Sequence, residues 1–221
     1  MTQSRAKAVL FDMDGLLLDT ESIYTEVTQM IVGRYGRVFD WSVKAHMIGR
    51  DARDSANYLV TALDLPFTAD DYLLERNALL EERFASSEPK PGARALVERL
   101  SQQGTPIAVA TSSKTNHFTI KTRQHQEWFT LFDAVVTSEH PEVKHAKPAP
   151  DIFLIAADAL GMQPADCLVF EDAPSGLQAG KAAGMQVITV PDPNMDKAEY
   201  ATADAILDSL EDFVINDWIT A

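Results

Sequence analysis

Two carboxylates stand two residues apart in Val9-Leu10-Phe11-Asp12-Met13-Asp14-Gly15, where an apolar run gives way to a glycine. In extended backbone, residues i and i+2 point to the same side. Two like charges about 4 Å apart repel by roughly 4 kcal/mol at an effective dielectric of 20, so this pair calls for a cation or a shared proton. Aspartates capping a turn are the plainer alternative. A calcium loop of the EF-hand kind fits poorly, because its glycine falls at the sixth position and this one falls at the fourth. A second acidic pair, Glu171-Asp172, follows Cys167-Leu168-Val169-Phe170 and precedes Ala173-Pro174-Ser175-Gly176. Gathered at one edge, the four carboxylates would make an oxygen-rich cluster suited to Mg²⁺, which keeps several waters and is shared with substrate phosphate. Asp172 capping a helix that begins near Pro174 is the competing account.

Thr111-Ser112-Ser113 closes another apolar run just ahead of a helix, where hydroxyls and free backbone N–H groups can hold an anion. A helix cap without a ligand explains the same residues equally well. Lys147, in Lys147-Pro148-Ala149-Pro150-Asp151, brings a cation to a loop stiffened by proline. A lone lysine in a loop is more often a solvated charge.

Strands and helices must bring these residues together. Short apolar runs recur over 7–11, 106–110, 134–136, 167–170, 186–190 and 205–207, the pattern of strands buried on both faces. Helical periodicity fills 91–103, 115–126, 150–160 and 174–183, with proline at or near several starts. This alternation predicts an α/β fold, a Rossmann-like doubly wound parallel sheet, in which ligands bind beyond the carboxyl ends of the strands. The charged and hydroxyl residues above all fall at such ends. From 17 to 89 no strand is evident, and helices are expected over 22–35, 52–63 and 69–84. The reading is a core of 1–16 and 90–221 with an inserted small α-helical lobe over 17–89, hinged near 16–18 and 88–92.

Composition narrows the function classes. Of 221 residues, 46% are hydrophobic and 24% charged, as in an ordinary globular protein. Lys plus Arg number 19 against 33 Asp plus Glu, so the net charge of −14 disfavours nucleic acid and anionic membrane surfaces as partners. One cysteine, Cys167, permits neither an intramolecular disulfide nor a thiolate zinc site. No apolar run approaches the ~20 residues of a membrane span, so a cytoplasmic location is expected. The five histidines are scattered without metal-ligand spacing.

In order, Val9-Leu10-Phe11-Asp12-Met13-Asp14-Gly15, Ala108-Val109-Ala110-Thr111-Ser112-Ser113, Lys147-Pro148-Ala149-Pro150 and Val169-Phe170-Glu171-Asp172-Ala173-Pro174-Ser175-Gly176 resemble the four motifs of the haloacid dehalogenase-like superfamily. The helical insertion looks like the small cap of its beta-phosphoglucomutase-like branch. Within that branch the likeness is closest to the pseudouridine-5'-phosphatase type, through Phe11-Asp12-Met13-Asp14-Gly15-Leu16-Leu17-Leu18-Asp19-Thr20-Glu21 and Pro141-Glu142-Val143. The resemblance implies a Mg²⁺-dependent phosphomonoester hydrolase for a small phosphosugar or nucleotide-type phosphate, monomeric and working through an aspartyl phosphate.

By the same resemblance Asp12 is the nucleophile and Asp14 the general acid and base, while Thr111 and Lys147 hold the phosphoryl oxygens. The Asp12 carboxylate, the Asp14 main-chain carbonyl, Asp172 and Glu171 would bind the metal. Ser112, Ser113 and Lys114, with Tyr24, Arg50 and Arg53 from the lobe, are the expected substrate contacts. Surface pairing of the two arginines with Asp51 or Asp54 is the alternative. A phosphosugar mutase shares the motifs, and Ser113-Lys114 matches a mutase segment that holds a distal phosphate. Yet Tyr24 stands where those mutases carry a histidine and Ala52 where they carry an arginine, a role Arg50 or Arg53 could assume. Dehalogenation and phosphonate hydrolysis fit poorly because Asp14 is present.

Overall fold

A computed structural model describes residues 5–48 and 52–220. Its sheet follows from six apolar runs: β1 (Ala8–Phe11), β2 (Ile107–Thr111), β3 (Ala134–Thr137), β4 (Cys167–Glu171), β5 (Gln186–Thr189) and β6 (Ala205–Ile206). All pair in parallel, in the order β3-β2-β1-β4-β5-β6. β1 lies at the centre, where the strand order reverses, so its carboxyl end opens into the crevice that such sheets use for ligands.

Every residue of β1, β2 and β4 is buried. Alternation sends Val9, Phe11, Leu168 and Phe170 to one face, against Leu96 of α5 (Ala93–Gln102), Trp128 of α7 (Gln126–Phe129) and Phe213. Ala8, Leu10 and Val169 face the other way, against Phe153 and Ala156 of α8 (Asp151–Ala159) and Leu177 of α9 (Pro174–Ala182). The Phe11 and Phe170 rings stack at 5.2 Å between centroids, which locks the two central strands next to the acidic ends they carry.

Between β1 and α5 lies the helical lobe: α1 (Thr20–Gly33), α2 (Trp41–Lys44), α3 (Ala52–Ala62) and α4 (Ala69–Arg83). Asp19 caps α1 by accepting from the Ser22 N–H at 3.3 Å, and Thr68 with Asp71 forms a reciprocal capping box on α4. Ile23, Val27, Ile31, Leu59, Tyr72 and Phe84 build a hydrophobic centre for these helices, separate from the two faces of the sheet. The two chain crossings between lobe and sheet run side by side. The Asp19 N–H donates to the Glu88 carbonyl at 2.8 Å, the Lys90 N–H donates to Leu17 at 2.9 Å, and Leu18 bridges to both Asp14 and Pro89.

One helix is shorter than its periodicity predicts. α6 (Thr115–Lys121) stops five residues before the end of the predicted 115–126 segment. The chain tightens into a 3-10 turn over Arg123–His125, which lets His125 Nε2 donate to the Ser87 carbonyl at 2.6 Å. That bond ties the turn to the lobe's return crossing. The four-residue helices α2 and α10 (Ile215–Trp218) are too brief for periodicity to reveal. Among the described residues, no helix is long and apolar enough to cross a membrane.

Candidate active site

Asp12 leaves the carboxyl end of β1, and its N–H still donates to the Phe170 carbonyl at 3.0 Å, so the nucleophile candidate hangs on the central strand pair. Lys147 reaches it from the loop before α8, with Nζ 2.5 Å from Asp12 Oδ1, 2.7 Å from Glu171 Oε1 and 3.1 Å from the Ala110 carbonyl. That loop is shaped by Asp151, whose Oδ2 accepts the N–H groups of Lys144 and His145, both at 2.9 Å. The lysine is no solvated surface charge, since its side chain is 6% exposed. Burial works against its charge, but Asp12 and Glu171 overcome this and push its pKa upward.

Glu171 and Asp172 arrive at the end of β4. Glu171 Oε2 accepts the N–H groups of Asp172 and Ala173 at 3.0 and 3.2 Å, leaving Oε1 for Lys147. Gly176 makes room for this carboxylate, since a Cβ there would lie 1.7 Å from Glu171 Oε1. Gly15, with φ +82°, passes so close to Asp172 that a Cβ would meet its Oδ2 at 2.3 Å. Asp172 does not cap α9, whose N-cap is Ala173 with no side-chain bond.

One carboxylate oxygen from each of Asp12, Glu171 and Asp172 falls within a span of 4.8 Å, an arrangement able to hold a metal ion. The charges test the fit. Burial, with Glu171 and Asp14 nearby, pushes Asp12 up to about 7 despite Lys147, and burial with Glu171 and Asp12 drives Asp172 well above the ordinary carboxylate range. Three acids against one lysine make a site that a small divalent cation fits by charge and by oxygen donors.

Asp14 sits beside this cluster in different company. Its Oδ2 accepts from Ser113 Oγ at 2.7 Å and more weakly from Thr111 Oγ1 at 3.3 Å, while its Oδ1 lies 2.5 Å from Lys121 Nζ. Burial would raise its pKa, but the Lys121 charge and these hydrogen bonds win and hold it below the usual value. Thr111 Oγ1 also accepts the Ser113 N–H at 3.0 Å, so the hydroxyl cluster after β2 is engaged within the protein.

A cavity of about 400 Å³ opens over Asp12, Lys147 and Asp172 and is lined on the far side by the lobe. Tyr24 and Ser112 line it; Ser113 and Thr111 are buried beneath it. Lys114 is exposed at the N-cap of α6, and Arg53 is exposed and paired with Asp70 at 2.8 Å; neither belongs to the cavity wall. Arg50 lies outside the described residues. Sequence reasoning missed several lobe groups of this wall. Lys44 lies 3.2 Å from Glu21 and donates to Thr25 Oγ1 at 3.0 Å, and the Thr28 and Tyr72 hydroxyls meet at 2.9 Å. It also missed Lys121. Glu21, Tyr24, Thr25 and Thr28 follow helical spacing on α1, a signal that only the position of the facing sheet turns into a wall.

The sequence model of the haloacid dehalogenase-like hydrolases matches residues 6–184. "(DL)-glycerol-3-phosphatase 1, mitochondrial" of Arabidopsis thaliana is 48% identical over 215 residues, spanning 95% of this chain and 72% of its own. "Probable pseudouridine-5'-phosphatase" of Drosophila melanogaster is 42% identical over 207 residues, 92% of this chain and 90% of its own. Among solved structures, a HAD family hydrolase from Deinococcus radiodurans R1 with bound phosphate and sodium superposes with a TM-score of 0.81 at 26% identity, over 94% of this chain and 93% of that one.

Proposed function

The chain belongs to the haloacid dehalogenase-like hydrolases, and from that premise we propose that it is a phosphatase of small phosphate monoesters acting through Asp12. The observation that carries this reading is the buried Asp12 carboxylate at the sheet's switch point, ion-paired to Lys147 and set beside two more acids under a cavity. The compounds named for the relatives, glycerol 3-phosphate and pseudouridine 5'-phosphate, are both phosphates on small polyhydroxy groups. The lobe wall suits that class. Its Glu21–Lys44 pair, with Thr25 beside it, supplies donors and acceptors for hydroxyl groups. Cytoplasmic location and a monomeric state complete the reading; the sole cysteine, Cys167, is free and buried.

In the first half-reaction an Asp12 oxygen bonds to phosphorus as the bond to the leaving oxygen breaks. Asp14, ionised in the free site, takes up a proton as the negatively charged phosphate enters beside it and gives that proton to the leaving oxygen. In the second, Asp14 takes a proton from water as it attacks the aspartyl phosphate, and inorganic phosphate leaves. Lys147 holds and offsets the phosphoryl charge, Ser112 faces the cavity as a contact for the phosphoryl oxygens, and Thr111 orders the turn beneath by accepting the Ser113 N–H. Asp12, Asp172 and Glu171, with the Asp14 main-chain carbonyl, would hold Mg²⁺, which when bound supplies Lewis-acid stabilisation of charge on the phosphoryl group.

Phosphate release from a panel of phosphosugars, polyol phosphates and nucleoside monophosphates, with Mg²⁺ and with chelator, tests the reading. Metal-dependent release from at least one compound is the expected result. Interconversion of phosphosugars with no net phosphate would replace hydrolysis with mutase chemistry. A second outcome follows from Asp12: protons compete with the cation for a carboxylate whose pKa is about 7 in the metal-free site. Apparent Mg²⁺ affinity by calorimetry should therefore rise about tenfold from pH 6 to pH 8. A flat profile would mean that the cation displaces no proton from Asp12 between pH 6 and pH 8.

A further inference from the structure

Lys121 has no part in the reaction set out above, yet it is 1% exposed at the end of α6. Burying an ammonium is costly unless it is paired, and its partner here is Asp14, 2.5 Å from Nζ. A second proton goes to Ser113 Oγ at 2.9 Å, and that hydroxyl in turn donates to the other oxygen of Asp14 at 2.7 Å. Lysine, serine and carboxylate thus close a ring. The remaining face of the ammonium lies 4.1 Å from the ring centroid of Phe84 and 5.8 Å from that of Tyr24. Both aromatic rings belong to the lobe's hydrophobic centre or pack against it. The lysine is held between lobe and sheet, and both oxygens of Asp14 are held by the lysine and the serine.

We propose that Lys121 is the positioning residue for Asp14, fixing through Ser113 and its own ammonium the direction from which the carboxyl meets the leaving oxygen. The inference rests on the reading of Asp14 as proton donor. It assigns Lys121 no contact with substrate; its whole effect passes through Asp14. Proton transfer at a leaving oxygen depends steeply on geometry, since a 1 Å misplacement can cost about a hundredfold.

A leaving group that needs no proton separates this role from a merely structural one. An alkoxide leaves poorly unless protonated, whereas p-nitrophenolate leaves well as the anion. We would measure kcat/KM for wild type, Lys121→Met, Asp14→Asn and the double variant, with the best alkyl phosphate from the panel and with p-nitrophenyl phosphate. Lys121→Met should lower the alkyl phosphate value about a hundredfold and the aryl value less than about fivefold. In the Asp14→Asn background the lysine substitution should change the aryl value by less than about twofold, because the group it acts through is gone. Ser113→Ala breaks the same ring without uncovering a buried charge; it should shift the alkyl-to-aryl ratio in the same direction, and it carries the test if Lys121→Met fails to fold. Equal loss on both substrates, unchanged or faster alkyl hydrolysis, or losses that multiply in the double variant would overturn the inference alone. A wild type inactive on both substrates would overturn the phosphatase reading and the inference with it.

Discussion

Asp12→Asn should lose turnover by about five orders of magnitude while melting no earlier than wild type. Removing the group that forms the covalent bond leaves positioning and electrostatics without a nucleophile. The stability half follows from the burial of Asp12. A carboxyl raised to about 7 in the folded state stabilises the fold fully below its ordinary pKa and loses that contribution as pH rises through 7. At pH 8 its ionised form adds to the repulsion with Glu171 and Asp14, and asparagine relieves that repulsion while Lys147 keeps Glu171 as partner. Phosphate release, thermal melting at pH 8 and mass spectrometry of the acid-quenched enzyme check both halves. Turnover within a hundredfold of wild type, or a phosphoryl adduct on the variant, would remove Asp12 from its assigned role.

Lys147→Ala should cost about a thousandfold in kcat/KM and about 3–5 kcal/mol in stability. The ammonium bridges Asp12 and Glu171 at 2.5 and 2.7 Å in a buried site, so its loss leaves acids without their internal counter-charge. Added Mg²⁺ should recover part of the melting temperature, because a divalent ion also neutralises the cluster. It should recover little of the rate, because no donor then stands where Nζ stood. Denaturant melts with and without metal, set beside kcat/KM, separate the two effects. Near wild-type values in both would reduce Lys147 to an incidental charge.

How far the residues declared themselves depended on the kind of neighbour each has. Asp12, Thr111 and Glu171 end runs of buried strand, and the parallel order of those runs forces their ends to one edge; a one-dimensional pattern therefore carries the three-dimensional placement. Lys147 needed its distant partners before its burial could be seen, for nothing in Lys147-Pro148-Ala149-Pro150 states that an ammonium turns inward. Lys121 was hidden more deeply. It sits on the predicted 115–126 helix as an ordinary polar residue, and only the 3-10 turn that ends α6 and the Phe84 ring opposite it make an interior site there. The lobe was legible as helices, through capping and apolar spacing, but not as a binding wall. Lys44 comes from a four-residue helix with no period to read, and Arg53 spends its charge on Asp70, seventeen residues away.

The paired crossings between sheet and lobe bear on how such a protein can change over generations. Because the Lys90 N–H is bonded to the Leu17 carbonyl and the Asp19 N–H to Glu88, the chain departs and returns through a single doorway whose ends are already closed. The entropic cost of closing such an excursion grows only with the logarithm of its length, about 0.6 kcal/mol for each doubling. To the sheet, then, the helices beyond that doorway are one tolerated insertion. They can lengthen, shrink or be exchanged while β1 and β4 keep their acidic ends in register, so a lineage can alter what it admits without rewriting how it reacts.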